Sequence, residues 1–186
     1  MQQAIAILKS EHRSISAVLQ ALKDLARRAQ DAKVRPHFQT LRSMVRYMDE
    51  YPEQLHHPKE DQHLFARLLR RAAQARPLID ELHAEHEHGA RLIRELERAL
   101  LFFEEDWPGG RHEFQQAVDA YAEFQWKHMR KEEEQLMPLA ERHLKAEDWQ
   151  AIEQAFAANP DPVAGTHAAH VEELFARIAI NQGARP

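Results

Sequence analysis

Apolar residues recur along this chain at helical intervals. Ile5, Leu8, Ile15, Leu19 and Leu22 fall three, four and seven residues apart and predict an amphipathic helix over about residues 3–30. A second begins near Pro36, carries Phe38, Leu41, Val45 and Met48, and continues past Pro52 and Pro58 to Leu64, Phe65, Leu68 and Leu69. Each of those prolines removes a helical N–H and crowds the preceding turn, so breaks or kinks are expected there. Pro77 followed by Asp80 and Glu81 marks the start of a third helix that runs to about Glu105. The run Asp106-Trp107-Pro108-Gly109-Gly110 is the strongest turn signal in the chain and separates it from a fourth helix at about Arg111 to Leu144. Beyond that, Glu147 to Ala158 reads as a short helix, Asn159-Pro160-Asp161-Pro162 as a loop, and Thr166 to Ile180 as a last helix. The expected fold is all-α: an antiparallel up-down four-helix bundle over residues 1–145, with one or two extra C-terminal helices over residues 146–186 packed on it.

Composition agrees with long helices, since only five glycines punctuate 186 residues rich in Ala, Leu, Glu, Arg and Gln. That length can bury a core without disulfides or a structural metal, so a metal here would serve function before stability. The net charge of −5, with interspersed signs, offers no sustained basic stripe for nucleic acid. No apolar run approaches a membrane span, and Met1-Gln2-Gln3-Ala4-Ile5 lacks the features of a signal peptide, so a soluble, cytoplasmic protein is expected. The absence of cysteine excludes disulfides, a thiolate nucleophile, zinc knuckles and iron–sulfur clusters. Redox chemistry would need a metal held by nitrogen and oxygen, or a bound cofactor.

The chain also repeats itself. Leu8-Lys9-Ser10-Glu11-His12 matches Leu82-His83-Ala84-Glu85-His86, and His56-His57-Pro58-Lys59-Glu60-Asp61 matches His128-Met129-Arg130-Lys131-Glu132-Glu133. One offset of roughly seventy residues nearly serves both matches, which points to a duplicated helix pair around one shared site.

His12 and His86 lie on the apolar faces of their helices and point inward. His56 with Glu60, and His128 with Glu132, are four apart and share a face. Singly, an inward histidine is usually a hydrogen-bonded core residue, and a His–Glu pair at this spacing is usually a surface pair. Together the four sites converge at one level of an antiparallel bundle, where buried carboxylates are costly unless cations neutralise them. Histidine and carboxylate without sulfur suit iron or manganese, with zinc or copper admitted by geometry.

In these residues the chain resembles the hemerythrin-like proteins, the HHE cation-binding domains, over about residues 3–144. His-His-Pro-Lys-Glu-Asp and Lys-Glu-Glu-Glu-Gln-Leu-Met-Pro-Leu resemble a bacterial subgroup. The resemblance implies two non-haem iron ions joined by an oxo or hydroxo bridge, with manganese or zinc as other occupants. Glu60 and Glu132 would bridge, and His12, His56, His86 and His128 would be terminal ligands. The oxygen-carrying members have a second histidine four residues from the one on the third helix, whereas His86 has Leu82 and Ala90 at those distances. His57 is the candidate to fill that vacancy, since some members place a ligand directly after the first histidine of this pair. An alternative register pairs His57 with Asp61.

Other histidines have blander readings. His37, His112 and His143 lie near helix ends; His63, His83 and His88 could be outer partners that fix imidazole tautomers; His167 and His170 fall outside the repeat. Glu11 and Glu85 would point about 100° from the histidines they precede, as solvated or salt-bridging residues. The first functional reading is a protein that binds or senses dioxygen or a related small oxidant; the alternative is an enzyme that decomposes peroxide or handles nitric oxide or iron. A ferritin-like oxidase needs Glu-x-x-His on two helices, and the fourth helix offers only Glu132-Glu133-Glu134-Gln135. A helical interaction module with incidental histidines is the non-catalytic reading. No protein partner is identified by the sequence.

Overall fold

The computed structural model describes residues 2–166 and 168–183, and among them the regular secondary structure is all helical. Helix α1, Gln2–Arg28, buries Ala4, Leu8, Ile15, Leu19 and Leu22 on one side. Helix α2 spans 38–71 and opens on His37, whose Nδ1 accepts the Thr40 N–H at 3.3 Å. Helix α3 is Arg76–Glu105, and α4 spans 111–143. Two further helices follow, α5 at Ala146–Ala158 and α6 at Val171–Gly183. Lys23 of α1 meets Asp119 of α4 at 2.7 Å, and Arg42 of α2 pairs with Glu104 of α3. Each pair joins the end of one helix to the start of its neighbour, which sets the up-down arrangement.

Of the breaks or kinks expected at the prolines, no break occurs, but the helix is irregular there. Helix α2 continues through both prolines by widening, with π-helical stretches at Asp49–His56 and Glu60–Phe65 on either side of a short α-helical His57–Lys59. The His57 N–H donates to the Pro52 carbonyl five residues back, so the ladder is re-registered where a proline cannot donate. The Met48 carbonyl, which would have received the missing Pro52 N–H, is approached by the Tyr121 hydroxyl at 3.4 Å. Helix α4 has a matching π stretch at Glu132–Leu136, just before Pro138. A π turn advances each residue by less than the 100° of an α-helix, so neighbouring side chains fan out less.

The core falls into two apolar clusters. One gathers Leu19, Leu22, Leu41, Met44, Phe103, Phe114 and Tyr121; the other gathers Leu8, Phe65, Leu68, Leu82, Leu136 and Ala140. The C-terminal helices enter both, through Trp149, Ile152 and Phe156 in the second and Val171 and Phe175 in the first. Each large apolar side chain buried this way contributes about 1.5–3 kcal/mol. At the waist between the clusters that contribution is forgone, because every helix of the bundle places buried histidine or glutamate there.

Candidate metal centre

The waist holds His12 from α1, His56, His57 and Glu60 from α2, His86 from α3, and His128 and Glu132 from α4, all buried. Their ligand atoms form overlapping clusters within 4.8 Å: His12, His56, Glu60 and Glu132; Glu60, His86, His128 and Glu132; and His57, His86 and His128. All seven residues singled out from the sequence therefore come together. The alternative register is not the one adopted, since Asp61 lies outside these clusters.

The two carboxylates divide their oxygens between the two sides. Glu60 Oε1 lies 3.5 Å from His56 Nε2 and 3.9 Å from His12 Nε2, while its Oε2 lies 3.7 Å from His86 Nε2. Glu132 Oε2 lies 3.4 Å from His12 Nε2, while its Oε1 lies 3.3 Å from His128 Nε2 and 3.8 Å from His86 Nε2. His57 completes the second side, stacked on His86 at 4.2 Å between ring centroids.

None of the four carboxylate oxygens has a hydrogen-bond partner, nor do His12 Nε2 and His56 Nε2, although all are buried. Stranding six polar atoms in a core costs several kcal/mol unless something else satisfies them. The spacing suits a cation. With bonds of about 2.1 Å, ligands lie about 3.0–3.4 Å apart at octahedral to tetrahedral angles, close to the separations found here.

Behind each imidazole stands a carboxylate. Nδ1 of His56 is 2.6 Å from Glu11, of His12 2.9 Å from Glu133, of His86 2.9 Å from Asp61, and of His128 2.9 Å from Glu85. His57 Nδ1 is 3.2 Å from Glu53, though not aligned to donate to it. Such acids fix the tautomer with Nε2 turned inward and raise the imidazole's basicity toward a metal. Of the two readings of Glu11 the structure takes the salt bridge and not the solvated one: it is buried and also accepts from Lys59 of α2 at 3.0 Å. It reaches the histidine of the neighbouring helix instead of its own, and Glu85 does the same. Sequence reasoning missed this role, yet the signal was present, because Glu11 and Glu85 recur in the repeat.

Without a metal, protons take its place. Burial would depress the His12, His86 and His128 imidazoles, but the surrounding carboxylates overcome it and raise all three, His86 to about 10 and His128 to about 9. Burial likewise works against Glu132, and His128, His12 and His86 hold it well below the usual carboxylate range. His57 goes the other way, lowered by burial and by the three neighbouring imidazoles.

The remaining histidines stay apart. His83 reaches Asp61 at 3.2 Å, one step behind His86, while His63 and His88 join none of the clusters, so the Glu-x-x-His strings assemble no ferritin-like site. His143 lies 3.2 Å from Gln74, His170 is exposed beside Glu173 and joins none of the clusters, and His167 lies outside the described residues.

A helical bundle with a waist of inward imidazoles around two unsatisfied carboxylates defines a cation-binding protein. The family model of the hemerythrin HHE cation binding domain matches residues 3–140, and the chain belongs to that family. No curated protein matches the sequence. No helix of the described residues is long and apolar enough to cross a membrane.

Proposed function

We propose that the centre holds two iron ions and that the protein binds or senses dioxygen or a related small oxidant in the cytoplasm. The observation that carries this reading is the division of Glu60 and Glu132, each turning one unsatisfied oxygen to His12 and His56 and the other to His86 and His128. One ion would take His12 and His56, the other His57, His86 and His128, with both carboxylates shared. Two reduced iron ions supply electrons and an open coordination position to such a reactant. The residues supply the rest: Glu60 and Glu132 balance the charge, the outer acids orient the imidazoles, and the apolar clusters keep bulk water from the waist.

Protein from iron-replete cells should contain close to two iron ions per chain, and its anaerobically reduced spectrum should change on admitting air. One ion or none after reconstitution, or a spectrum indifferent to oxidant, would overturn this reading. Peroxide decomposition is the second reading, favoured by the poorer imidazole supply on the His12 and His56 side, and measured peroxide turnover decides between them.

A further inference from the structure

A depression of about 390 Å³ lies between α1 and α4, lined by His12, Arg13, Ser16, Trp126, Met129, Arg130, Glu133 and Glu134. His12 is its floor and is also the wall of the metal centre. A larger depression of about 520 Å³, by Gln39, Arg42, Ser43 and Glu97, touches none of the seven centre residues.

We propose that this depression admits the small reactant, a diatomic or triatomic molecule, to the metal position of His12 and His56, and that Glu133 is its gate. The proposal rests on the two-ion reading above. Two observations carry it. First, the repeat aligns Met129 with His57. The second side has His57 as a third imidazole; the first has a thioether at the corresponding place, on the wall of the depression. The cluster of His12 and His56 has no third imidazole, and Met129, which stands where one would be, lines the depression.

Second, Glu133 is the least restrained of the acids behind the imidazoles. Glu11 is also held by Lys59, Glu53 by Tyr121 and Gln125, Asp61 by His83, and Glu85 by Lys131. Glu133 has His12 alone as hydrogen-bond or ion-pair partner among the described residues, and its side chain is 39% exposed against 3–33% for the other four. Swinging it outward breaks one contact and uncovers the imidazole. Arg13 and Arg130, both exposed, have no ion-pair partner among the described residues, so the mouth also tolerates a small anion.

The test is azide binding to the oxidised, iron-reconstituted full chain, followed by stopped-flow absorbance, with iron content and the rate of iron removal by a chelator as separate readouts. Ser16→Trp, which plugs the depression without replacing a ligand, should slow azide association about tenfold or more at unchanged iron content. Glu133→Ala should speed both association and iron removal, and Glu133→Gln, which can still bond His12, should restore them toward the parent. Ser43→Trp, in the larger depression, is the control and should change neither. Parent rates in both Ser16→Trp and Glu133→Ala would overturn the entrance while leaving the two-ion reading standing. If Ser16→Trp does not fold, an unchanged Glu133→Ala alone overturns it. A parent protein that holds two irons yet binds neither azide nor oxidant would overturn both.

Discussion

The two halves of the repeat build the centre from the same parts, and they differ where the parts meet solvent or each other. Glu11 and Glu85 each reach across to the histidine of the following helix, Lys59 and Lys131 hold those two acids, and Asp61 of α2 and Glu133 of α4 reach the lone histidines His86 of α3 and His12 of α1. Each acid and its lysine are thus duplicated along with the ligands. The departures are few: His57 stands against Met129, and Glu53 against Gln125. These two pairs meet, because Gln125 and Tyr121 donate to Glu53 at 2.7 and 2.8 Å, and Glu53 lies beside His57. Duplication supplies a symmetric cation site; the departures give one side a third imidazole and the other a thioether at the matching position.

The largest effect should come from the parts both sides share. Glu132→Ala removes an oxygen from each side, and in the metal-free chain it leaves imidazolium ions without their counter-charge. Breaking a buried pair in this way costs about 3–5 kcal/mol. We expect loss of at least one iron by elemental analysis and a clear fall in the thermal midpoint. Retention of both irons with an unchanged spectrum would refute the shared role.

The next effect is on the asymmetry itself. His57→Ala should make the second side resemble the first, keeping both carboxylates but exposing another coordination position. It should shorten the lifetime of any oxygen adduct and raise peroxide turnover; a variant identical to the parent in iron content, spectrum and peroxide reactivity would make His57 a mere neighbour. Met129→His tests the converse, and should supply the missing imidazole and slow azide association.

A smaller change should follow from the outer residues. Lys59 is buried against Glu11, and its ammonium lies over the rings of Tyr51 and Phe156 at 5.2 and 4.7 Å. Lys59→Met keeps the apolar stem but releases Glu11, so His56 loses its orientation. Iron affinity measured by competition with a chelator should fall about tenfold to a hundredfold. An unchanged affinity would confine Lys59 to packing.

The helices and six of the inward residues were legible because two periodicities coincide in the sequence, the helical spacing of apolar residues and the longer repeat of His-x-x-x-Glu, while His57, which the repeat lacks, entered only through the family resemblance. What was not legible came from one assumption, that helices are ideal. Pro52 and Pro58 read as breaks because an α-helix cannot absorb a missing N–H, whereas a π turn can by shifting the donor to His57. That shift places His56 and His57 in the same cavity, which a 100° step does not foresee. The same ideal wheel turned Glu11 away from the site, to solvent or a salt bridge, and did not foresee its contact with His56. A residue off its own helix's inward line can still be buried between helices, as Glu11 and Lys59 are, and a wheel of one helix carries no information about its neighbour.

The smallest effect separates the three imidazoles of the second side by protons. In the metal-free chain His86 and His128 are raised to about 10 and about 9, above the ordinary histidine value of 6.5, by Asp61, Glu85 and Glu132 working against burial. A raised folded value means that stability is fully present below the unfolded value and is lost as pH climbs through the folded one. The metal-free protein should therefore lose stability progressively from about pH 6.5 to about pH 10 as these imidazoles give up the protons that pair with Glu132. In the iron-loaded protein the cation replaces those protons, so its thermal midpoint should be flat over that range. Iron binding at pH 7 must displace protons from His86 and His128 but none from His57, which burial and its imidazole neighbours keep neutral. Proton release measured in two buffers of different ionisation enthalpy should accordingly be unchanged in His57→Ala and reduced in His86→Ala. Equal release from both variants would show that the three imidazoles of that side share one protonation state, and the contrast drawn between them would fall.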